Sequence, residues 1–142
     1  MNQEKIVTVF GSSRPREGEP DYEEARVLGR ALAKHGFAVC SGGYGGVMEA
    51  VSRGAKEAGG KTYGVTAEFF TAARPNSWID TEVRMKTWEE RLFELIRMAD
   101  GFVACKGGTG SRKDWIGGTR ADAIGVCRDA ERTAFDIFFL EQ

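Results

Sequence analysis

Phe37-Ala38-Val39-Cys40-Ser41-Gly42-Gly43-Tyr44-Gly45-Gly46-Val47-Met48-Glu49-Ala50-Val51 is the stretch whose reading decides the fold. Phe37 to Ser41 is an apolar run of strand length that stops at a glycine cluster. A helix starts near Val47. Its inward positions, Val47, Ala50, Val51, Gly54 and Ala58, are small enough to lie close to a sheet, and Gly59-Gly60 ends it. Outward from this unit the same order repeats. Ile6 to Phe10 is a β-branched strand ending at Gly11-Ser12-Ser13. The helix after it, with Asp21 as the expected N-cap and Glu24 as capping-box partner, carries the stripe Ala25, Leu28, Leu32 and runs to about Gly36. Lys61 to Thr66 reads as a third strand and Trp78 to Arg84 as a fourth; residues 67–77 fit neither period. Lys86 to Ala99 reads as a helix, with Met85, Trp88, Leu92, Leu95, Ile96 and Ala99 at helical spacing, and Gly101 to Cys105 as a strand leading into residues 106–111. Strands alternating with helices predict a three-layer, Rossmann-like α/β fold, a mainly parallel sheet with helices on both faces. A length of 142 residues argues for one domain, 1–142.

Composition narrows the function classes. A net charge of −1 gives no electrostatic reason to expect a nucleic acid or an anionic membrane as partner. No apolar run approaches the roughly 20 residues of a membrane helix, and Met1 to Lys5 does not open a signal peptide. Cys40, Cys105 and Cys127 are far apart, and His35, the one histidine, reads as a helix-end residue. No metal site is expected from such a set, which suits a reducing cytoplasm; Cys40 and Cys105 read as small buried hydrophobes.

The chemistry sits in the 19 glycines, which cluster where strands end. Ligands of open parallel sheets bind outside the carboxyl ends of strands, where bare backbone comes closest to them. Gly11, Ser12 and Ser13, then Gly42, Gly43, Gly45, Gly46 and Met48, and then Gly107, Gly108, Thr109, Gly110 and Ser111 all fall on that rim. The last group offers unhindered N–H donors and two hydroxyls, a cradle for one phosphate. It is neither a Walker loop nor the G-x-G-x-x-G dinucleotide fingerprint. Arg91, at the edge of the Trp88–Leu92 stripe among Glu89, Glu90 and Glu94, reads from periodicity as a solvated helix charge, and Glu49 as a helix-start charge.

Val-Phe-Gly-Ser-Ser at 9–13, Ser-Gly-Gly-Tyr-Gly-Gly-Val-Met-Glu-Ala at 41–50, Gly-Ala-Lys-Glu-Ala-Gly-Gly at 54–60 and Met-Ala-Asp-Gly-Phe-Val-Ala-Cys-Lys-Gly-Gly-Thr-Gly at 98–110 resemble the LOG family, the cytokinin riboside 5′-monophosphate phosphoribohydrolases. The resemblance covers residues 5–110. It implies cleavage of an N-glycosidic bond of a nucleoside 5′-monophosphate, giving free base and ribose 5-phosphate, with no cofactor. It also implies a homodimer. Counted from Gly107, the family's helix arginine matches Arg91, which the resemblance moves from solvated charge to catalytic residue. Asp114 stands where the family has a catalytic glutamate, and the loop Gly107 to Ser111 would hold the phosphate.

The match departs from the family's P-G-G-x-G-T-x-x-E pattern at Lys106, Ser111 and Asp114, the last one methylene short. Beyond it, Gly117-Gly118 suits no helix interior, and residues 111–142 read as an atypical tail, truncated or frameshifted relative to the family. Two alternatives to the hydrolase therefore stand: a non-catalytic LOG-like protein binding a nucleotide or the molybdenum cofactor, and an inactive truncated member.

Overall fold

The computed structural model describes residues 4–105 and the backbone of residues 124–127. The elements in chain order are β1 (Lys5–Phe10), α1 (Pro20–Lys34), β2 (Phe37–Ser41), α2 (Val47–Glu57), β3 (Thr62–Ala67), β4 (Thr81–Met85), α3 (Trp88–Met98), β5 (Gly101–Cys105) and β6 (Ile124–Cys127). The six strands form one sheet in the order β4-β3-β2-β1-β5-β6, and all five pairings are parallel. From β1 the chain builds outward through β2, β3 and β4. It then returns to the other side of β1 with β5 and β6. The order therefore reverses between β1 and β5, the switch point where the carboxyl ends of neighbouring strands leave a crevice.

Alternation along the strands divides the core between the two faces. Val7, Val9 and Val39 point to one side, where they are buried with Tyr22, Leu28 and Leu32 of α1 and Val47 and Val51 of α2. Ile6, Phe10, Cys40 and Val65 serve the other side, under Leu95 of α3. Leu28 and Leu32 are fully buried, each contributing about 2 kcal/mol of burial free energy. The two helices of the first face touch through glycine. A Cβ on Gly29 would overlap the Val51 carbonyl, and one on Gly54 would overlap the Arg26 carbonyl, so the crossing needs both residues bare. Arg26 clamps the crossing from outside, its guanidinium on the Glu57 carboxylate.

The strands follow the sequence reading within a residue or two, except β4, which starts three residues later than expected. Four details differ. The N-cap of α1 is Glu19, not Asp21, because Pro20 takes the first helical position, where its missing N–H costs nothing. The capping box of the fold belongs to α3: the Thr87 hydroxyl accepts from Glu90 N (3.1 Å) and the Glu90 carboxylate accepts from Thr87 N (3.0 Å). The apolar stripe of α3 does not all face the core; Leu95 is buried, while Trp88 is 52% and Leu92 38% exposed. Finally, a strand stands at 124–127, in the stretch read as an atypical tail, with Val103 paired to Gly125. Cys40 and Cys105 are buried, as their place in apolar strands implies.

Candidate functional site

Two glycine turns interlock above the ends of β1 and β2. Gly46, at φ +66°, precedes α2, and any side chain there would strike Ser12 and Ser13. Val47 N donates to the Ser12 carbonyl (2.9 Å), and a Cβ on Gly11 would strike Val47. The loop after β1 is thus pinned to the start of α2. The segment after β3 is pinned to the same turn. Asn76 N donates to the Gly43 carbonyl (2.8 Å), Asn76 Nδ2 donates to the Tyr44 carbonyl (2.9 Å), and the Tyr44 hydroxyl accepts from Ala67 N (3.0 Å).

Between these turns and α3 lies a cavity of about 420 Å³, bounded by Gly11, Ser13, Gly42, Tyr44, Met48, Phe70, Trp88 and Arg91. Its walls are mostly aromatic or aliphatic; its charge is Arg91. That side chain leaves α3 and turns inward. Nε donates to the Val65 carbonyl (2.8 Å) and Nη2 to the Gly42 carbonyl (3.1 Å), and the guanidinium lies 5.2 Å from the Tyr44 ring and 5.4 Å from the Phe70 ring. Phe70 packs edge-on against Tyr44 at 5.7 Å, so the two rings form a corner around the cation. Among the described residues Arg91 has no carboxylate partner. Burial lowers its pKa from the usual value, with Tyr44 and Cys40 opposing. A guanidinium remains charged at neutral pH all the same. A partly desolvated cation held, among the described residues, by carbonyls, ring faces and the Met48 sulfur has spare donor capacity, and an anion entering the cavity would relieve it.

The residues singled out in the sequence divide on this geometry. Gly11, Ser13, Gly42, Met48 and Arg91 border the cavity. Gly42 shapes it as a bare position, since a Cβ there would displace Nη2 of Arg91 and the Met48 sulfur. Ser12 and Gly43 shape the turns from behind: the Ser12 hydroxyl accepts from Arg14 N (3.1 Å), and Gly43, at φ +81°, lies against Thr66 and Gly64. Gly46 faces a second cavity, and Gly45 approaches the Ser13 carbonyl. Gly107, Gly108, Thr109, Gly110, Ser111 and Asp114 lie outside the described residues. Glu49 is more than a helix-start charge, because the buried Tyr22 hydroxyl donates to it at 2.5 Å. His35 is the C-cap of α1. Sequence reasoning missed Tyr44, Phe70 and Trp88. Tyr44 had a signal, a large ring inside a run of glycines. Trp88 matched the core stripe, and Phe70 fell in the stretch without a period. No described helix is long and apolar enough to cross a membrane.

A family model, the SLOG cluster4 family, matches residues 4–132. The chain belongs to the SLOG cluster4 family. It is similar to a LOG-type phosphoribohydrolase and to a molybdenum cofactor binding protein. The family match continues past residue 110, where the resemblance read from the motifs stops, and takes in β6. A cytokinin riboside 5′-monophosphate phosphoribohydrolase of Rhodococcoides fascians is 30% identical over 116 residues, covering 79% of this chain and 58% of that protein. The molybdenum cofactor binding protein of Rippkaea orientalis is 29% identical, with a TM-score of 0.66, over 77% of this chain and 66% of that one. The Moco carrier protein of Chlamydomonas reinhardtii shares the fold over 99% of both chains, with a TM-score of 0.74 at 21% identity. The chain thus spans about three-fifths of the length of the curated relatives it matches.

Proposed function

We propose that this SLOG protein binds a nucleoside 5′-monophosphate in the Arg91 cavity, over the ends of β1 and β2, and hydrolyses its N-glycosidic bond, releasing free base and ribose 5-phosphate. The observation that carries this reading is the half-buried Arg91 guanidinium, without a carboxylate partner among the described residues, at the wall of an aromatic-lined cavity. An aromatic base fits the Tyr44, Phe70 and Trp88 walls, and an anionic group fits Arg91. Gly107, Gly108, Thr109, Gly110 and Ser111, directly after β5, are at the right point of the chain to take the phosphate, by their N–H groups and hydroxyls. The reaction class comes from the similarity to the phosphoribohydrolase.

In this reading the C1′–N bond breaks with its electron pair leaving on the base, which gains a proton, while water adds to C1′. Positive charge develops on the ribose, and a carboxylate beside it stabilises that charge. Asp114 holds the motif position for this role. The phosphate, which does not react, supplies the energy that holds C1′ in place. We further propose that two copies associate through the exposed apolar side of α3, where Trp88, Leu92 and Phe93 meet solvent.

A second reading, a carrier that holds the molybdenum cofactor without cleaving a bond, is favoured by the 29% identity to the Rippkaea orientalis binding protein. That ligand, too, would be a fused ring bearing a phosphate. The two readings separate on chemistry. Purified protein incubated with adenosine 5′-monophosphate and an N6-prenylated analogue should release free base, followed by chromatography, and the release should vanish in Asp114→Ala. Saturable binding without base release would leave the carrier.

A further inference from the structure

Beside the Arg91 cavity lies a second one, about 550 Å³ and open to solvent, bounded by Ser13, Arg14, Arg16, Glu17, Tyr22 and Glu49, with Gly46 also in its lining. Ser13 borders both cavities, so the two are neighbours. The two differ in character. The first is walled mostly by rings and aliphatic chains; the second is lined mostly by polar groups.

The charges around the second cavity are unevenly occupied. Its carboxylates are already engaged: Glu17 pairs with Arg53 (2.9 Å), and Glu49 accepts from the Tyr22 hydroxyl (2.5 Å). Its guanidiniums are not. Arg14 and Arg16 are exposed and make no side-chain ion pair among the described residues. Their backbone, by contrast, is fixed. Arg14 N donates to the Ser12 hydroxyl (3.1 Å) and Arg16 N to the Glu19 carboxylate (2.7 Å). Two cations are therefore carried on a held loop beside a cavity whose acids are spoken for. Gly46 lets that loop pass close over the start of α2.

We infer that the second cavity is an anion subsite of the ligand site, in which Arg14 and Arg16 take a second phosphate carried by the nucleotide. The inference rests on the nucleotide reading above. The extra phosphate can extend from the 5′-phosphate, as in a nucleoside 5′-diphosphate, or sit on the ribose, as in a 3′,5′-bisphosphate. The shared chemistry is a phosphate dianion meeting two guanidiniums.

Calorimetric titration of the full chain with adenosine 5′-monophosphate, adenosine 5′-diphosphate and adenosine 3′,5′-bisphosphate tests it. At least one doubly phosphorylated ligand should bind about tenfold or more tightly than the monophosphate. Which of them gains identifies the position of the second phosphate. The gain should vanish in the double variant R14A/R16A while monophosphate affinity is unchanged, which also shows that the variant is folded. R14K/R16K should keep part of the gain. If all three ligands bind equally to the wild type, or if R14A/R16A weakens the monophosphate as much as the others, the subsite is overturned and the nucleotide reading stands. If none of the three binds, the nucleotide reading falls and the subsite with it.

Discussion

Arg91 shows how one side chain can belong to a different class from its neighbours on the same helix. Glu94 and Arg97 pair with each other at the surface, whereas Arg91, between them and the helix start, turns under the rim and gives its donors to Val65 and Gly42. Periodicity reads all three as solvated charges, since helical spacing records which residues are apolar and not which cation is drawn inward by carbonyls. Only the motif resemblance separated Arg91 from the rest. Gly42 makes the arrangement testable without touching the arginine. Its φ lies outside the left-handed region, so alanine is allowed there, yet a Cβ would overlap Nη2. Gly42→Ala should keep the far-ultraviolet spectrum and weaken nucleotide binding by about tenfold or more; unchanged affinity would mean that Arg91 has no fixed role. Cys40 offers a pH test. Burial pushes its thiol from 9.0 up to about 11. The folded protein therefore holds the proton where the unfolded chain has lost it. The associated stability is complete below pH 9 and is lost as pH rises towards about 11. The thermal midpoint should fall across that window, and the fall should be shallower in Cys40→Ala.

At the scale of elements, the strands were the most legible part of the sequence. β1, β2, β3 and β5 are short β-branched or apolar runs stopped by glycine or a polar turn, and burial on both faces leaves little else for them to be, whereas β4 is largely exposed and starts three residues late, and β6 lies in the stretch read as an atypical tail. Helix ends were less legible. Asp21 and Glu24 have capping-box spacing, but Pro20 pre-sets the first turn one residue earlier and moves the cap to Glu19. Thr87, with Glu90 three residues on, forms the box that the sequence reading passed over. Thr87→Ala should cost about 1 kcal/mol of stability in urea unfolding, through loss of the bond to Glu90 N. The crossing of α1 and α2 is more demanding. Gly54→Ala places a methyl on the Arg26 carbonyl, and neither backbone can yield without moving its helix off the sheet. The expected loss is about 2 kcal/mol or more, against the usual gain of alanine over glycine in a helix. A stabilised Gly54→Ala protein would show that the helices separate freely. Glycine at such a contact looks, in sequence, like any small residue on a buried face.

At the scale of the molecule, the parallel pairing of β1 with β2 brings the Gly11 and Gly42 turns together, although about thirty residues of chain separate them. The alternation of strands and helices implied such a rim, but not the aromatic corner of Tyr44 and Phe70, which depends on how residues 67–77 fold back over it. The outer side of α3 makes its own prediction. With Trp88 at 52% and Phe93 at 70% exposure, the chain should run as a dimer in light scattering, and Phe93→Glu should shift it towards monomer. A wild-type monomer would leave that surface for another partner. The central claim is that the cavity over the ends of β1 and β2 holds a nucleoside 5′-monophosphate through Arg91. Calorimetric titration of adenosine 5′-monophosphate into wild-type protein and Arg91→Ala tests it most directly. Saturable binding, weakened about tenfold or more in the variant with the fold intact, is the result expected. Equal affinity in both proteins, or no binding to either, would contradict it.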